Sequence, residues 1–590
     1  MTYAQHFGLR GQTSQREQAD PRQVRNSAGG FTFQVDCWKR LDRFLILGAE
    51  GGTFYAGEKK LVVENAKSLG ACLDEDPARA VEQIAQVSES GRAPKNDAAI
   101  FALAYAAGHP KAREFALKAL PRVCRIGTHL FDFVNAVQKF RGWGRGLQRA
   151  VASWYSDRDA DDLMRQLTKY QQRNGVSHVD ILRLCHLEPK EAHRAIIRWV
   201  VDGDKNMGDR VLSAPAESKG SRGQSAERSL EGPEVLPCAA VKKAARVPRS
   251  YSGVGEVPEY LDVVHRCLHS TDPKEVVRLV TEYRLPHEVV PSAMKNRVEV
   301  WEALLGPMPP TAAIRNLGKM TAVGLLQPMS VASKTLTRKL GDEALLRKQR
   351  VHPMSILLGM KVYEQGHGDK GKLKWSPVRE VLDALDGAFY LSFQNIEPSR
   401  KRTLLAIDIS GSMDSSCVAG TVLSARVAAG AMAMVTARVE EAWHAVGFTC
   451  GVRGEYRHSK CTSMHGEERY ASNLSELKIS PKQRLDEIVK MMHGLPLGGT
   501  NCALPMMYAM DRGMGIDVFH VYTDNETWAG ELHPHEALRM YREKTGIAAK
   551  LIVVGMTATE FTIADPTDAG MLDIVGLDAA APAIMADFAR

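Results

Sequence analysis

The strongest constraint on this chain of 590 residues is a change of period near Arg400. Beyond it, short apolar runs with β-branched content alternate with segments of helical spacing. The runs are "RTLLAIDIS", "AWHAVGFTC", "IDVFHVYTD" and "AKLIVVGMT"; "GTVLSARVAAGAMAMVTARVE" and "HPHEALRMYREKTG" are the clearest helical segments between them. Strands that are apolar throughout need cover on both faces, and interleaved helices supply it. Residues 391–590 are therefore expected to form a Rossmann-like α/β domain on a mostly parallel sheet. Upstream the texture is helical. "DPARAVEQIAQVSES" and "NDAAIFALAYAAG" carry apolar residues three and four apart and close on Ser or Gly. Residues 31–390 are expected to be HEAT-like helix pairs that bury their apolar faces on one another, although no strict repeat is present. Two stretches depart from this texture. Residues 1–30 are polar and read as a flexible N-terminal arm. Residues 213–250 are rich in Ser, Gly, Pro, Ala and charge, cannot bury enough apolar surface, and read as a flexible insertion.

A chain this long exceeds one core, so two to four domains at roughly 150 residues each are expected. The formal net charge of +8 is mild, so a charged partner has to be argued from local patches. The ten cysteines are scattered, with no CxxC pair and no zinc-ligand spacing, which fits thiols in a reducing compartment. "MTYAQHFGLRGQTSQREQ" has no apolar core of a secretory signal, and no run approaches about 18 apolar residues. A cytoplasmic protein with no membrane partner is expected.

Two constellations carry chemistry. In "LLAIDISGSM" an apolar strand runs into Asp408, with Ser410 and Ser412 at alternate positions after it. Thr500 follows two glycines in "GLPLGGTNCALPM", and Asp524 ends the run "VFHVYT". In a parallel α/β sheet, ligands bind beyond the carboxyl ends of strands. Five hard oxygen donors converging there would suit Mg²⁺ or Mn²⁺. The plainer alternative is a turn with capping hydroxyls and a buried Asp. A phosphatase with Asp408 as nucleophile is weaker, because Ser410 stands where a second Asp would be needed as general acid. Glu526 in "TDNETW" reads as a surface residue or one behind the ligands.

The second constellation is basic. Residues 118–155 hold seven Lys/Arg (Lys118, Arg122, Arg125, Lys139, Arg141, Arg145, Arg149) against the single acid Asp132, with Phe131, Phe133, Phe140, Trp143 and Trp154 interleaved. Cations for phosphates and rings for unstacked bases are the footprint of a nucleic-acid binder. The alternative is core aromatics under a solvated cationic face. "TKYQQRNGVSHVDILRLCHLEP" then places Lys169, Arg173, His178, Arg183 and His186 around an Asn-Gly turn. Lys319 in "RNLGKM" and Lys372 and Lys374 in "GKLKW" are further cations, expected on loops.

These motifs resemble a known family. D-x-S-x-S, G-G-T and a strand-end T-D are similar to the metal-ion-dependent adhesion site (MIDAS) of von Willebrand factor A domains. "TKYQQRNGVSHVDILRLCHLEP" resembles the signature of the Ro autoantigen family of TROVE-module RNA-binding proteins. "RFLILGAEGGTFY", "VCRIGTHLFDF", "WGRGLQRAVASWY", "IRNLGKMTA", "GHGDKGKLKW" and "VYTDNETWAG" resemble Ro segments in the same order. The resemblance implies a fold of α plus α/β type, a monomeric ring of HEAT-like repeats closed by the A domain. It implies that Ser410, Ser412 and Thr500 bind a divalent cation directly and Asp408 and Asp524 mostly through waters. It implies a non-enzymatic ribonucleoprotein component that binds small Y-like RNAs through residues including Lys169, Arg173 and His186. The single-stranded ends of misfolded or structured RNAs would enter the hole, which Lys319, Lys372 and Lys374 would line. An exoribonuclease tethered through the RNA is a further implied partner. The stretch 213–250 departs from the family pattern. Two rivals remain: a Mg²⁺-dependent protein-interaction adaptor with RNA secondary, and a metal-dependent hydrolase.

Overall fold

In chain order the strands are β1 (Gln23–Arg25), β2 (Phe31–Gln34), β3 (Gln172–Arg173), β4 (Val176–Ser177), β5 (Thr403–Asp408) and β6 (Trp443–Cys450). They continue as β7 (Tyr456–Thr462), β8 (Glu468–Glu476), β9 (Val518–Thr523), β10 (Lys550–Gly555), β11 (Phe561–Thr562) and β12 (Met571–Val575). The computed structural model describes residues 13–48, 58–202, 259–368, 372–393, 396–418, 423–450, 456–462, 468–494 and 498–590. The expected insertion at 213–250 lies outside them. The chain forms two compact units, one of Met1–Ala99 with Pro309–Arg590 and the other of Ile100–Met308. The change of period at 391–400 is therefore not the boundary between compact units. Helices from both ends of the helical region share a unit with the sheet.

The sheet runs β12-β10-β9-β5-β6-β8-β7. Strands β12, β10, β9, β5 and β6 are parallel, while β8 and β7 are antiparallel additions at one edge. Strands β5 and β9 are buried at every position, as runs covered on both faces must be. The helix Ala425–Val439 covers β5 with an almost wholly buried surface of Ala, Val and Met. On the other face Met506, Ala509, Leu538 and Tyr541 pack on Phe519, Val521 and Leu551.

The expectation of a loose arm at 1–30 is corrected for the residues from 13 on. Strand β1 pairs with β2, and β2 with β11 in the C-terminal region, as a small antiparallel sheet. The Gln15 side chain is buried, donates to Asn501 Oδ1 (2.8 Å) and Leu532 O (2.8 Å), and accepts from Thr527 Oγ1 (2.6 Å). Asn26 Nδ2 donates to Thr527 O at 2.7 Å. A Cβ on Gly30 would lie 2.0 Å from that carbonyl, so only glycine fits. Polar composition here marks side chains that satisfy buried loop backbone, a demand that has to be met wherever loops pack inside.

One ion pair fixes the helix Cys37–Leu47 to the sheet. Arg43 and Asp573 are 1% and 3% exposed, and Arg43 Nη2 reaches both carboxylate oxygens, at 2.6 and 2.8 Å. Arg43 Nη1 donates to the carbonyls of Thr559 (2.5 Å) and Phe561 (2.9 Å). Removing one partner leaves a buried charge unpaired. Arg43→Met is expected to cost about 3–5 kcal/mol in urea unfolding, and adding Asp573→Leu to recover most of it. Equal losses in the single and double variants would contradict this.

Candidate metal centre and nucleic-acid interface

Strand β5 has β6 on one side and β9 on the other, so the chain leaves it in both directions and opens a crevice at its carboxyl end. Asp408 is the last residue of β5, and Asp524 is the first after β9. Thr523 Oγ1 donates to Asp408 Oδ2 at 2.7 Å across that pairing. The Ser410 N–H donates to Asp408 Oδ1 (2.9 Å), and the Ser410 and Ser412 hydroxyls are 3.0 Å apart. Asp524 Oδ1 accepts from the Glu526 N–H at 3.0 Å, and Ser412 lies close enough to lower the Asp524 carboxyl. The third loop is tied in by backbone. Gly499 exchanges two hydrogen bonds with Cys450 (2.7 and 3.0 Å), and Gly411 N–H donates to Gly498 O (3.0 Å). A Cβ on Gly498 would fall 1.7 Å from Cys450 O, which is why glycines precede Thr500. The backbone of Gly498 and Gly499 thus brings the loop of Thr500 beside that of Asp408, Ser410 and Ser412, and all five sequence-derived ligands are at most 2% exposed.

Arg426 is a cation near enough to act on the Asp408 carboxylate. Among the described residues, Thr500 Oγ1 and Asp524 Oδ2 are buried and have no hydrogen-bond partner. Burial first, and the Asp524 carboxylate second, push Asp408 up to about 7, and burial raises Asp524 as well. Arg426 lies close by but is committed to backbone, donating to Ile409 O at 2.7 Å and Met492 O at 3.2 Å. Two desolvated carboxylates and three hydroxyls, two of these oxygens unpartnered, fit a hard divalent cation held by Asp408, Ser410, Ser412, Thr500 and Asp524. Glu526 is not a surface residue. It is fully buried, and its carboxylate accepts from the Ala28 N–H at 3.0 Å, anchoring the β1–β2 turn.

A carboxyl whose folded pKa is raised contributes stability below its unfolded value that is lost as pH rises through the folded one. Without metal, the wild type is expected to lose stability between about pH 4 and 7 through Asp408, by on the order of 4 kcal/mol. Asp408→Asn in chelator is expected to lack that loss and to gain nothing from added Mg²⁺, whereas Mg²⁺ raises the wild-type melting temperature. A variant still stabilised by Mg²⁺ would remove Asp408 from the site.

In the Ile100–Met308 unit the basic segment separates into inside and outside. Phe131 and Phe133 are fully buried and Trp154 nearly so, while Phe140 packs edge-on against Phe101 and Tyr105. The Trp143 indole N–H donates to Leu184 O at 2.7 Å. These rings are core or structural ties, which corrects their reading as base-stacking platforms. His178 is corrected likewise. It is buried, its Nδ1 lies 2.9 Å from the Tyr155 hydroxyl, its ring meets Phe131, and burial drives it down to about 3. Its place directly after the capping Ser177 faces it inward, whereas its sequence neighbours gave only charge.

The cations face outward. Lys139, Arg145 and Arg183 are exposed, and Arg141 is half-buried with Nη1 on Ala107 O at 3.0 Å. His186 is exposed in a left-handed conformation (φ 48°) that closes the helix His178–Cys185, not packed inside it. Lys169 ends the helix Ala160–Lys169, over the Tyr170 ring and 3.8 Å from Glu288. Arg173 sits on the hairpin β3–β4, with Nε 3.2 Å from Asp132 Oδ2. Glu288 and Asp132 are the residues sequence reasoning passed over; Asp132 was legible as the lone acid of its stretch. Lys319 belongs to the helix Pro310–Ala322, not to a loop, and lies in the other unit with Lys372 and Lys374, both exposed on a loop.

A helical module with outward cations, in one chain with an α/β domain that gathers Asp-Ser-Ser-Thr-Asp at its strand ends, defines a two-part protein of TROVE and von Willebrand A type. Residues 24–360 match the TROVE domain, and residues 402–589 the Ro60 vWA domain. The chain is 38% identical to the RNA-binding protein RO60 of Deinococcus radiodurans over 98% of its own length and 97% of the relative's. It is 34% identical to the RNA-binding protein RO60 of Caenorhabditis elegans, over 97% and 91%. The crystal structure of the Deinococcus radiodurans Ro (RSR) protein superposes with a TM-score of 0.62 at 36% identity, covering 94% of this chain and 99% of that one. The chain belongs to the Ro60/TROVE family.

Proposed function

We propose that the protein binds small noncoding, Y-like RNA through the cationic surface of its Ile100–Met308 unit, as a ribonucleoprotein component in RNA quality control or degradation. The observation that carries this reading is the sorting of one segment: rings turned into the core, with Lys139, Arg145, Arg173, Arg183 and His186 left to solvent. Such a surface recognises phosphate and folded shape more than unstacked bases. Near full-length relatives named RNA-binding protein support it. The finer parts of the proposal are a monomeric ring of HEAT-like repeats closed by the A domain, with single-stranded ends of misfolded RNA taken into its hole near Lys319, Lys372 and Lys374, an exoribonuclease tethered by the RNA, and a cytoplasmic, non-enzymatic role. Among the described residues, no helix is long and apolar enough to cross a membrane. The Asp408 pocket takes Mg²⁺ or Mn²⁺ for partner binding; a protein adaptor with RNA secondary is the alternative that this pocket favours.

Lys169→Ala with Arg173→Ala is expected to weaken a transcribed stem–loop RNA by about 1–3 kcal/mol in fluorescence anisotropy and to flatten the salt dependence. Unchanged affinity in a folded variant would overturn the assignment.

A further inference from the structure

The hairpin that carries Arg173 is short. Strands β3 and β4 pair only Gln172 with Ser177 and Arg173 with Val176. The turn between them is Asn174-Gly175, both at positive φ (50° and 77°), the form that two-residue hairpins adopt. Val176 is buried, but Gln172, Arg173, Asn174 and Gly175 are exposed, and a Cβ on Gly175 would touch nothing within 4 Å. An isolated hairpin of this size is marginal in water. The neighbouring helix Gly127–Val137 reaches the outer half of the hairpin with the Asp132 side chain. Asp132 Oδ1 accepts from Asn174 Nδ2 at 3.0 Å, and Oδ2 lies 3.2 Å from Arg173 Nε. One carboxylate thus meets two successive residues of the hairpin, Arg173 through an ion pair and Asn174, the first residue of the turn, through a hydrogen bond.

The direction of the Arg173 contact decides what it does. Nε is the inner nitrogen of the guanidinium, so a carboxylate there leaves the Nη1/Nη2 edge to other acceptors. The Arg173 side chain is 43% exposed, while Asp132 is 16% exposed. A guanidinium presented by that edge is the fork that meets phosphate oxygens two at a time. An acid in a basic patch should repel RNA, and that repulsion is the cost of the arrangement. At the surface it is weakened by water and salt, whereas a free arginine on a loose turn must lose its rotamer freedom on binding.

We propose that Asp132 is a positioning residue for RNA binding, which holds the β3–β4 turn and aims the outer edge of the Arg173 guanidinium at a phosphate. This inference rests on the RNA-binding role proposed above.

The experiment uses the full chain, a fluorescently labelled stem–loop RNA with a single-stranded tail, and anisotropy titrations over a range of salt. Asp132→Ala is expected to weaken binding about tenfold, close to the effect of Arg173→Ala, and to lower the salt slope by about one phosphate contact. Asp132→Asn, which keeps an acceptor for Asn174 but no charge for Arg173, is expected to fall between wild type and Asp132→Ala. Because Asp132 acts through Arg173, Asp132→Ala is expected to cost nothing further in an Arg173→Ala background. Circular dichroism melts check folding, and Asp132→Asn keeps the test valid if the alanine variant is damaged. Tighter binding by Asp132→Asn or Asp132→Ala, or an additive double variant, would overturn the proposal and make Asp132 a competitor of RNA. If Arg173→Ala itself leaves binding unchanged, the RNA-binding assignment of the hairpin fails, and this inference with it.

Discussion

The parallel pairing of β5 with β9 is the constraint on which the sheet unit depends. It joins two strands far apart in sequence and sets their carboxyl ends side by side, so that Asp408 and Asp524 are buried next to one another. Burial alone would favour apolar residues there. Two carboxylates are instead retained beside hydroxyls, with Thr500 Oγ1 and Asp524 Oδ2 unpartnered among the described residues. Unsatisfied buried oxygens are costly, so their persistence points to a ligand that satisfies them. The surrounding structure serves the same end. Gly498 and Gly499 pass against Cys450 to bring in Thr500, and Arg426 holds the backbone of the Asp408 loop.

The helical unit solves a different electrostatic problem. Its aromatic residues make a core around Trp154, Tyr155 and His178, and its cations are pushed outward by the cost of burying charge. Two of those cations rest against acids, Lys169 beside Glu288 and Arg173 beside Asp132. The acids at this surface keep flexible side chains in defined places, and Asp132, itself mostly buried, meets Arg173 at the inner nitrogen of its guanidinium.

What was legible in the sequence follows from how local each signal is. The α/β domain could be read because apolar strands covered on both faces leave short, almost continuous apolar runs with β-branched content, as in "RTLLAID" and "VFHVYT". The D-x-S-x-S site could be read because its donors stand at strand ends, where topology brings them together. The packing of residues 13–30 could not be read, since Gln15 and Asn26 are buried by hydrogen bonds to Asn501 and Thr527, far along the chain. The rings near Phe131 misled for a related reason. Their spacing suits a helix face, but whether that face meets RNA or another helix is decided by partners such as His178 and Phe101. The boundary near residue 391 marked a change of secondary structure, and the compact units cut across it because β2 pairs with β11 and Arg43 with Asp573.

The central claim is a division of labour, with RNA held by the cations of the helical unit and a divalent ion held separately at the Asp408 pocket. Photocrosslinking a bound stem–loop RNA to the full chain, with and without Mg²⁺, and mapping the crosslinked peptides by mass spectrometry tests it most directly. Crosslinks concentrated in residues 139–186 and unchanged by Mg²⁺ or by Asp408→Asn are expected. Crosslinks on the loops of Ser410, Thr500 or Asp524 that vanish with the ion would contradict the account and make the metal pocket part of the RNA site.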